Sequence, residues 1–397
     1  MTEPIAIEGG KPERETFLPY ARQVVDDDDV AAVVAALRSD WLTTGPRVEE
    51  LEEAFAESVG TAHAVAYSSG TAALHGTMFA ARIGPGDEVV VPTMTFAATA
   101  ACVVYQGGTP VLADVDRDTL NLQPDDFERQ LTSKTKAVIP VHYAGVPADV
   151  ARITALAERR GLIVVEDAAH GAGASIGGRS VGSFGDMGVF SLHPAKQLTA
   201  GEGGIVTTDN AELAARLRRF RNQAMDTSGR ERETAGAYAY EIEELGYNYR
   251  LTDIQAALGL SQLKKLAGLV ERRRRLVALY DKRLAGLGLT LPFTPAGTEP
   301  SWHLYVVRLP LERLSVNRDR IFAAMRAENI GVNVHYIPVH RLGYYARLTG
   351  RRPEEFPVAE EAFARLLTLP LHPGMTDEDV DSVAHALEKV LARYEVR

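Results

Sequence analysis

Between residues 62 and 208 the chain repeats one pattern, a short and almost uninterrupted apolar run followed by a stretch with helical spacing. The runs are Ala62–Tyr67, Glu88–Val91, Pro110–Ala113, Ala137–Val141, Leu162–Glu166, Gly188–Leu192 and Gly204–Thr208. Continuous hydrophobicity, in place of strict alternation, marks strands that are covered on both faces. Helical stretches such as Pro147–Arg160 fit between them. Strand–helix alternation over this length confines the chain to an α/β fold with a mostly parallel central sheet.

The flanks extend the pattern. Asp27–Trp41 puts Val30, Val33, Val34, Leu37 and Trp41 at helical spacing behind an acidic first turn. Asp209–Arg221 reads as a helix. The polar stretch Asn222–Tyr240 is long for a plain connection, so it is either mobile or functional. Thr252–Gly268 and Leu269–Gly286 read as successive helices, with the Arg272–Arg275 run as a solvated face. Beyond a Pro- and Gly-rich change of composition, Trp302–Leu309 and Gly331–Tyr336 read as strands, Asn317–Asn329 and the C-terminal segment as helices. The expected division is a large domain, 1–270, and a smaller C-terminal α+β domain, 271–397.

With 397 residues the chain is long enough for two such domains, and a net charge of −10 argues against non-specific nucleic-acid binding. A local pocket of Arg and His can still take an anionic small molecule. No apolar run reaches the roughly 18–20 residues of a membrane span. Met1–Gly10 lacks the basic and apolar regions of a secretory signal. The one cysteine, Cys102, sits in an apolar run and reads as a packed thiol, so a cytoplasmic protein is expected.

Three motifs carry chemistry. In Ser69-Gly70-Thr71-Ala72-Ala73-Leu74 a strand gives way to a helix whose first free N–H groups can hold a phosphate. Alone, this is more simply a capped helix. In Val164-Val165-Glu166-Asp167-Ala168-Ala169-His170 two carboxylates end a buried strand, where α/β sheets bind ligands, and Asp167 can accept from a protonated heterocycle nitrogen. Lys196 lies in Ser191-Leu192-His193-Pro194-Ala195-Lys196, before the Gly-rich reversal Gly201-Glu202-Gly203-Gly204. A lysine partly desolvated at a sheet edge becomes a nucleophilic amine. Phosphate cradle, ring-nitrogen partner and Schiff-base lysine together are what pyridoxal 5'-phosphate requires. The histidines show no metal-ligand spacing, and no Gly-x-Ser-x-Gly elbow is present.

These motifs, with Leu245-Gly246-Tyr247-Asn248-Tyr249-Arg250-Leu251-Thr252-Asp253, resemble the DegT/DnrJ/EryC1/StrS sugar aminotransferases, which are fold-type I pyridoxal-phosphate enzymes. The resemblance runs nearly end to end. Ile139–Gly145, Gly259–Leu266 and Val334–His340 make it most similar to transaminases that form UDP-4-amino-4,6-dideoxy-N-acetyl-hexosamines on the pseudaminic-acid route. The resemblance implies that Lys196 forms the internal aldimine and that Asp167 pairs with the pyridine nitrogen. It implies Phe96 stacked on the ring, His170 near the phenolic oxygen, and Gly70, Thr71 and Ser191 on the phosphate. Asn248 would reach that phosphate from a second subunit of a homodimer, and Arg250 and His335 would lie near the nucleotide sugar. L-glutamate would be the amino donor, by way of pyridoxamine phosphate, and a 4-keto-6-deoxy sugar the acceptor. Ala237-Tyr238-Ala239-Tyr240 stands where close relatives carry a Trp-Tyr-Tyr run, so the sugar itself is the open point. Other acceptors on the same chemistry are a dTDP-, GDP- or 3-keto-sugar or a keto-cyclitol. A 3-dehydratase would replace the lysine by histidine, and a non-catalytic regulatory protein would not need the full set.

Overall fold

The computed structural model describes residues 4–396, apart from 228–231 and 233. The seven expected runs form one seven-stranded sheet. Its strands are β1 His63–Tyr67, β2 Glu88–Pro92, β3 Thr109–Ala113, β4 Thr135–Val138, β5 Ile163–Asp167, β6 Met187–Ser191 and β7 Gly204–Thr208, in the order β1-β7-β6-β5-β4-β2-β3. Only β7 runs against its neighbours β1 and β6, and the remaining pairs are parallel. The α/β class is therefore as expected. The topology sends the carboxyl ends of β1, β5 and β6 to one edge, and β7 starts from that edge.

Helices cover the sheet: α2 Pro46–Val59, α3 Gly70–Ala80, α4 Ala98–Tyr105, α5 Pro124–Arg129, α6 Val150–Glu158 and α7 Ala211–Arg221, while α1 Asp27–Leu37 packs on the helix Asp253–Leu263. Val65, Tyr67, Val91, Val165 and Val189 of the sheet are fully buried against Met78 of α3 and Val103 of α4. Tyr67, deep in this layer, donates from its hydroxyl to the Leu217 carbonyl at 2.8 Å, so its one polar atom is satisfied. Burying each such side chain contributes about 1.5–3 kcal/mol, which fixes the strands that deliver the site.

The chain continues through α8 Asp253–Leu263 and α9 Leu266–Leu284, then β8 Tyr305–Arg308, α10 Arg318–Ala327, α11 Gly343–Thr349, α12 Pro357–Arg365, β9 Leu366–Leu369 and α13 Asp377–Tyr394. A second apolar cluster gathers Tyr280 of α9, Tyr305 and Val307 of β8, Ile321 of α10 and Val383, Leu387 and Val390 of α13, and takes in Ile5 and Leu18.

Four expectations need correction. The break between the two long helices falls at Lys264–Lys265, not after Gly268. Gly331–Tyr336 is not a strand. Gly331 N–H reaches the Leu18 carbonyl at 2.7 Å and only Asn333 pairs with Thr368, while β9 is the strand that partners β8. The arginine run is not uniformly solvated, since Arg273 has no exposure at all. The first helix ends at Leu37, and Val30 and Leu37 on its apolar stripe are both 54% exposed. The stretch Asn222–Tyr240 lies partly outside the described residues.

Candidate functional site

Asp167 is the last residue of β5 and Glu166 the one before, so their side chains leave opposite faces of the sheet. Glu166 turns into the core. It accepts from the backbone N–H groups of Gly182 at 2.9 Å, of Phe184 at 2.6 Å and of Gly185 at 2.8 Å. His142 Nδ1 accepts from the Ala148 N–H at 3.0 Å, so Nε2 carries the proton and donates to Glu166 at 3.0 Å. Burial alone would raise the Glu166 carboxyl, but these donors hold it below the usual range.

Asp167, on the other face, is 4% exposed. Its Oδ2 accepts from the Thr99 hydroxyl at 2.8 Å and its Oδ1 from the Ala169 N–H at 3.1 Å. Burial pushes its carboxyl up, while Thr99, Ala169 and the charge of Lys196 pull the other way. Lys196 is half-buried, and its Nζ is 3.4 Å from His303 Nε2. Burial lowers the amine to about 8, with Asp167 opposing and Arg273 adding to the fall.

At the same edge, α3 starts at Gly70, and the Ser69 hydroxyl caps it by accepting from the Ala72 N–H at 3.1 Å. The N–H groups of Gly70 and Thr71, in the first turn, have no intrahelical acceptor. A Cβ on Gly70 would stand 3.2 Å from the Ser191 Cβ, so this glycine lets the helix terminus close on the end of β6. Amides, a hydroxyl and a helix N-terminus make an anion-binding donor set, and the lysine and the aspartate complete a set that fits pyridoxal phosphate.

His170 is buried with both nitrogens engaged. Nδ1 accepts from the Ala144 N–H at 3.3 Å, so Nε2 donates to the Tyr336 hydroxyl at 2.9 Å. Burial, then the neighbouring Lys196, keep its ring neutral. Phe96 is 58% exposed, with its ring centroid 6.0 Å from that of Tyr336. His335 is buried. Its Nδ1 lies 2.9 Å from the Thr368 hydroxyl, its carbonyl accepts from the Tyr143 hydroxyl, and burial together with Lys196 lowers the ring to about 3. Lys196, Asp167, His170 and His335 thus share one neighbourhood, with Gly70, Thr71 and Ser191 along the same sheet edge.

Asn248 and Arg250 flank Tyr249, whose carbonyl accepts from the Ser68 N–H at 2.8 Å. Asn248 is exposed and pairs through an isolated bridge with Asn222. Arg250 Nη1 donates to the Asn222 side chain at 2.8 Å and lines a cavity of about 510 Å³ with Thr44, Glu52, Arg219 and Arg221. Among the described residues, neither has a hydrogen bond or ion pair to the Lys196 group. The sequence reading missed Thr99, Tyr336, His303 and Arg273, all far from the three motifs along the chain. Among the described residues, no group of His, Cys, Asp and Glu could hold a metal ion, and no helix is long and apolar enough to cross a membrane.

A mostly parallel sheet with a half-buried lysine, a buried aspartate and a helix N-terminus at its carboxyl edge is the arrangement of a pyridoxal-phosphate aminotransferase. More particularly, the chain belongs to the DegT/DnrJ/EryC1/StrS aminotransferase family, whose model matches residues 23–388. It is 41% identical over 381 residues to the spore coat polysaccharide biosynthesis protein SpsC of Bacillus subtilis, covering 95% of this chain and 98% of that one. Among solved structures it is similar to Spr1654 of Streptococcus pneumoniae in its PMP form, with a TM-score of 0.90, 31% identity and coverage of 95% and 99%. It is also similar to Helicobacter pylori PseC, an aminotransferase involved in the biosynthesis of pseudaminic acid, with a TM-score of 0.88, 30% identity and coverage of 96% and 100%. The chain is a sugar aminotransferase, and pyridoxal phosphate is its cofactor.

Proposed function

We propose that this aminotransferase moves the amino group of L-glutamate to a nucleotide-linked 4-keto-6-deoxy sugar. Placement of a half-buried, low-pKa Lys196 near a buried Asp167 carries the amino-transfer part of this reading. The likeness to PseC supports the sugar class.

When bound, pyridoxal phosphate supplies an electron sink for a carbanion next to nitrogen. Lys196 Nζ holds the group covalently in this reading and, once displaced, carries a proton at Nζ between the reacting carbons. An amine near 8 has a substantial neutral fraction at neutral to mildly alkaline pH, which is the form that accepts a proton. Asp167 would pair with the ring nitrogen of the bound group, its negative charge favouring the protonated ring, and that charge would in turn favour the ionised carboxyl against its burial. Thr99 fixes the aspartate from behind. Gly70, Thr71 and Ser191 would bind the phosphate, Phe96 would stack on the ring, and His170, which donates to Tyr336, would lie near the phenolic oxygen.

Asn248 reaches the phosphate of a second copy in this reading, and Arg250 and His335 lie near the nucleotide sugar. Exposed apolar side chains support such a homodimer: Val25, Val30, Leu37, Trp41 and Leu42 on one segment, with Tyr240, Ile242 and Leu245 on another. Thr43 pairs with Thr252, so this surface adjoins the Asn248 segment. The division into 1–270 and 271–397 belongs to the same reading, supported by the separate cluster around β8 and β9. Cys102, fully buried with its Sγ 3.2 Å from the Thr99 carbonyl, suits a reducing cytoplasm.

The test is an amination assay with glutamate against UDP-, dTDP- and GDP-linked keto-sugars. Turnover with a UDP-4-keto-6-deoxy sugar well above the others is expected. Preference for another nucleotide, or for a keto-cyclitol, would replace the substrate while leaving the reaction class intact.

A further inference from the structure

His303 is 4% exposed and lies on the segment that leads into β8. His75, His142, His170 and His340 are also buried, and each engages both ring nitrogens with protein groups. That is the habit of a histidine kept for packing. Two depart from it. Among the described residues, His372 has no partner on either ring nitrogen, and His303 has none on Nδ1, while its Nε2 has one neighbour, the Lys196 amine at 3.4 Å. That lysine contact sets His303 apart.

The ring is placed by means other than its own hydrogen bonds. It packs on His170 with centroids 4.4 Å apart. The backbone around it is tied on two sides. Ser301 N–H reaches the Gly145 carbonyl at 3.0 Å and Leu304 N–H the Ala144 carbonyl at 3.2 Å. Arg273 then links the two partners. Its Nη1 donates to the carbonyls of Trp302 and His303 at 3.2 Å each and of Leu371 at 2.9 Å, and its Nη2 to the Lys196 carbonyl at 3.3 Å. A fully buried guanidinium spent on backbone carbonyls holds both chain segments in one relative position.

We propose that His303 is a positioning residue for Lys196, its Nε2 taking one hydrogen of the amine so that the amine keeps a single orientation whenever it is not bonded to the cofactor. The imidazole is neutral, because burial and the charges of Lys196 and Arg273 oppose its protonation. Facing an ammonium, a neutral ring accepts at Nε2. The lysine would otherwise sample several rotamers in a site built to receive a proton at one place. The other titratable groups that act on Lys196 or lie beside it are Asp167 from β5, His170 after it, Arg273 from α9 and His335. This inference rests on Lys196 being the cofactor lysine.

The experiment reads Lys196 in the full-length protein freed of cofactor. Reductive methylation at a series of pH values, with mass spectrometry of the Lys196 peptide, gives the midpoint at which the amine becomes reactive. Wild type should titrate at about 8. An accepted hydrogen bond favours the ammonium, so H303F should move the midpoint down by about one pH unit. H303Q, which returns an acceptor, should bring it back most of the way. In the reconstituted enzyme H303F should lose about tenfold in kcat with KM for both substrates little changed. If H303F does not fold, judged by circular dichroism, H303A takes its place with the same expectation. A midpoint that stays put or rises in the folded variant, or one that H303Q does not restore, overturns the proposal. Because the labelling needs no cofactor, its failure is distinct from failure of the Lys196 assignment, which would appear as cofactor held covalently by K196A.

Discussion

Asp167 shows what a single position can and cannot reveal. Its place at the end of an apolar run was legible, because such a run must be a buried strand whose end meets solvent. Its hydrogen-bond partner Thr99 was not, since nothing local to Thr99 marks a residue that meets a carboxylate 68 positions away. Asp167→Asn should still bind the cofactor yet turn over about 10²–10³ times more slowly, checked by steady-state kinetics beside a cofactor titration. Lys196 allows a stability prediction. Its amine sits at about 8 in the fold against an ordinary value of 10.5. Between those values the unfolded chain holds the proton that the folded one has released, so stability rises with pH across that window. Relative to Lys196→Met, the cofactor-free protein should gain about 3 kcal/mol from pH 8 to pH 10.5, measured by urea unfolding. A parallel pH dependence in the two proteins would contradict the depressed amine.

At the level of elements, the seven strands were readable because each is covered on both faces and therefore apolar throughout. The C-terminal part was harder. Gly331–Tyr336 has a strand-like composition, but its backbone is divided between Leu18 and Thr368. The true partner of β8, Leu366–Leu369, begins directly at the end of α12, so its pattern merges with a helix. Arg273 escaped for a related reason. Four arginines in a row suit a solvated helix, and only tertiary packing supplies the carbonyls that make burying the second of them tolerable. The turn at Gly145 has a φ of +86°, and a Cβ there would lie 2.8 Å from both the Trp302 and His303 nitrogens. Gly145→Ala should cost about 2 kcal/mol or more through left-handed strain and the clash, read from the denaturant midpoint. A variant as stable as wild type would mean that the 301–304 segment packs elsewhere.

For the molecule as a whole, one copy leaves Asn248 exposed, with no hydrogen bond to its own Lys196 among the described residues, and leaves exposed apolar side chains nearby. If two copies share their sites, lesions in different chains complement each other. Mixed and reassociated K196A and N248A chains should form hybrids with one intact site, regaining roughly a quarter of wild-type activity after random pairing. Activity no higher than that of the parent variants would remove the shared-site arrangement. The homodimer is an expectation from the family resemblance alone. Val30 and Leu37 read as helical spacing, and spacing does not say whether a stripe meets its own chain or another.

The His142–Glu166 pair has a consequence for how the sheet assembles. Two acids stand side by side at the end of β5, and the alternation of a strand sends one inward and the other into the site. A slip of one residue would exchange them, presenting the longer glutamate to the ring and driving the aspartate among apolar side chains. Glu166 penalises that slip, because its two oxygens would abandon a histidine and three amides that nothing else could satisfy. The acid that never meets the reaction thus acts as a proofreader of alignment, and guarantees the identity of the one that does.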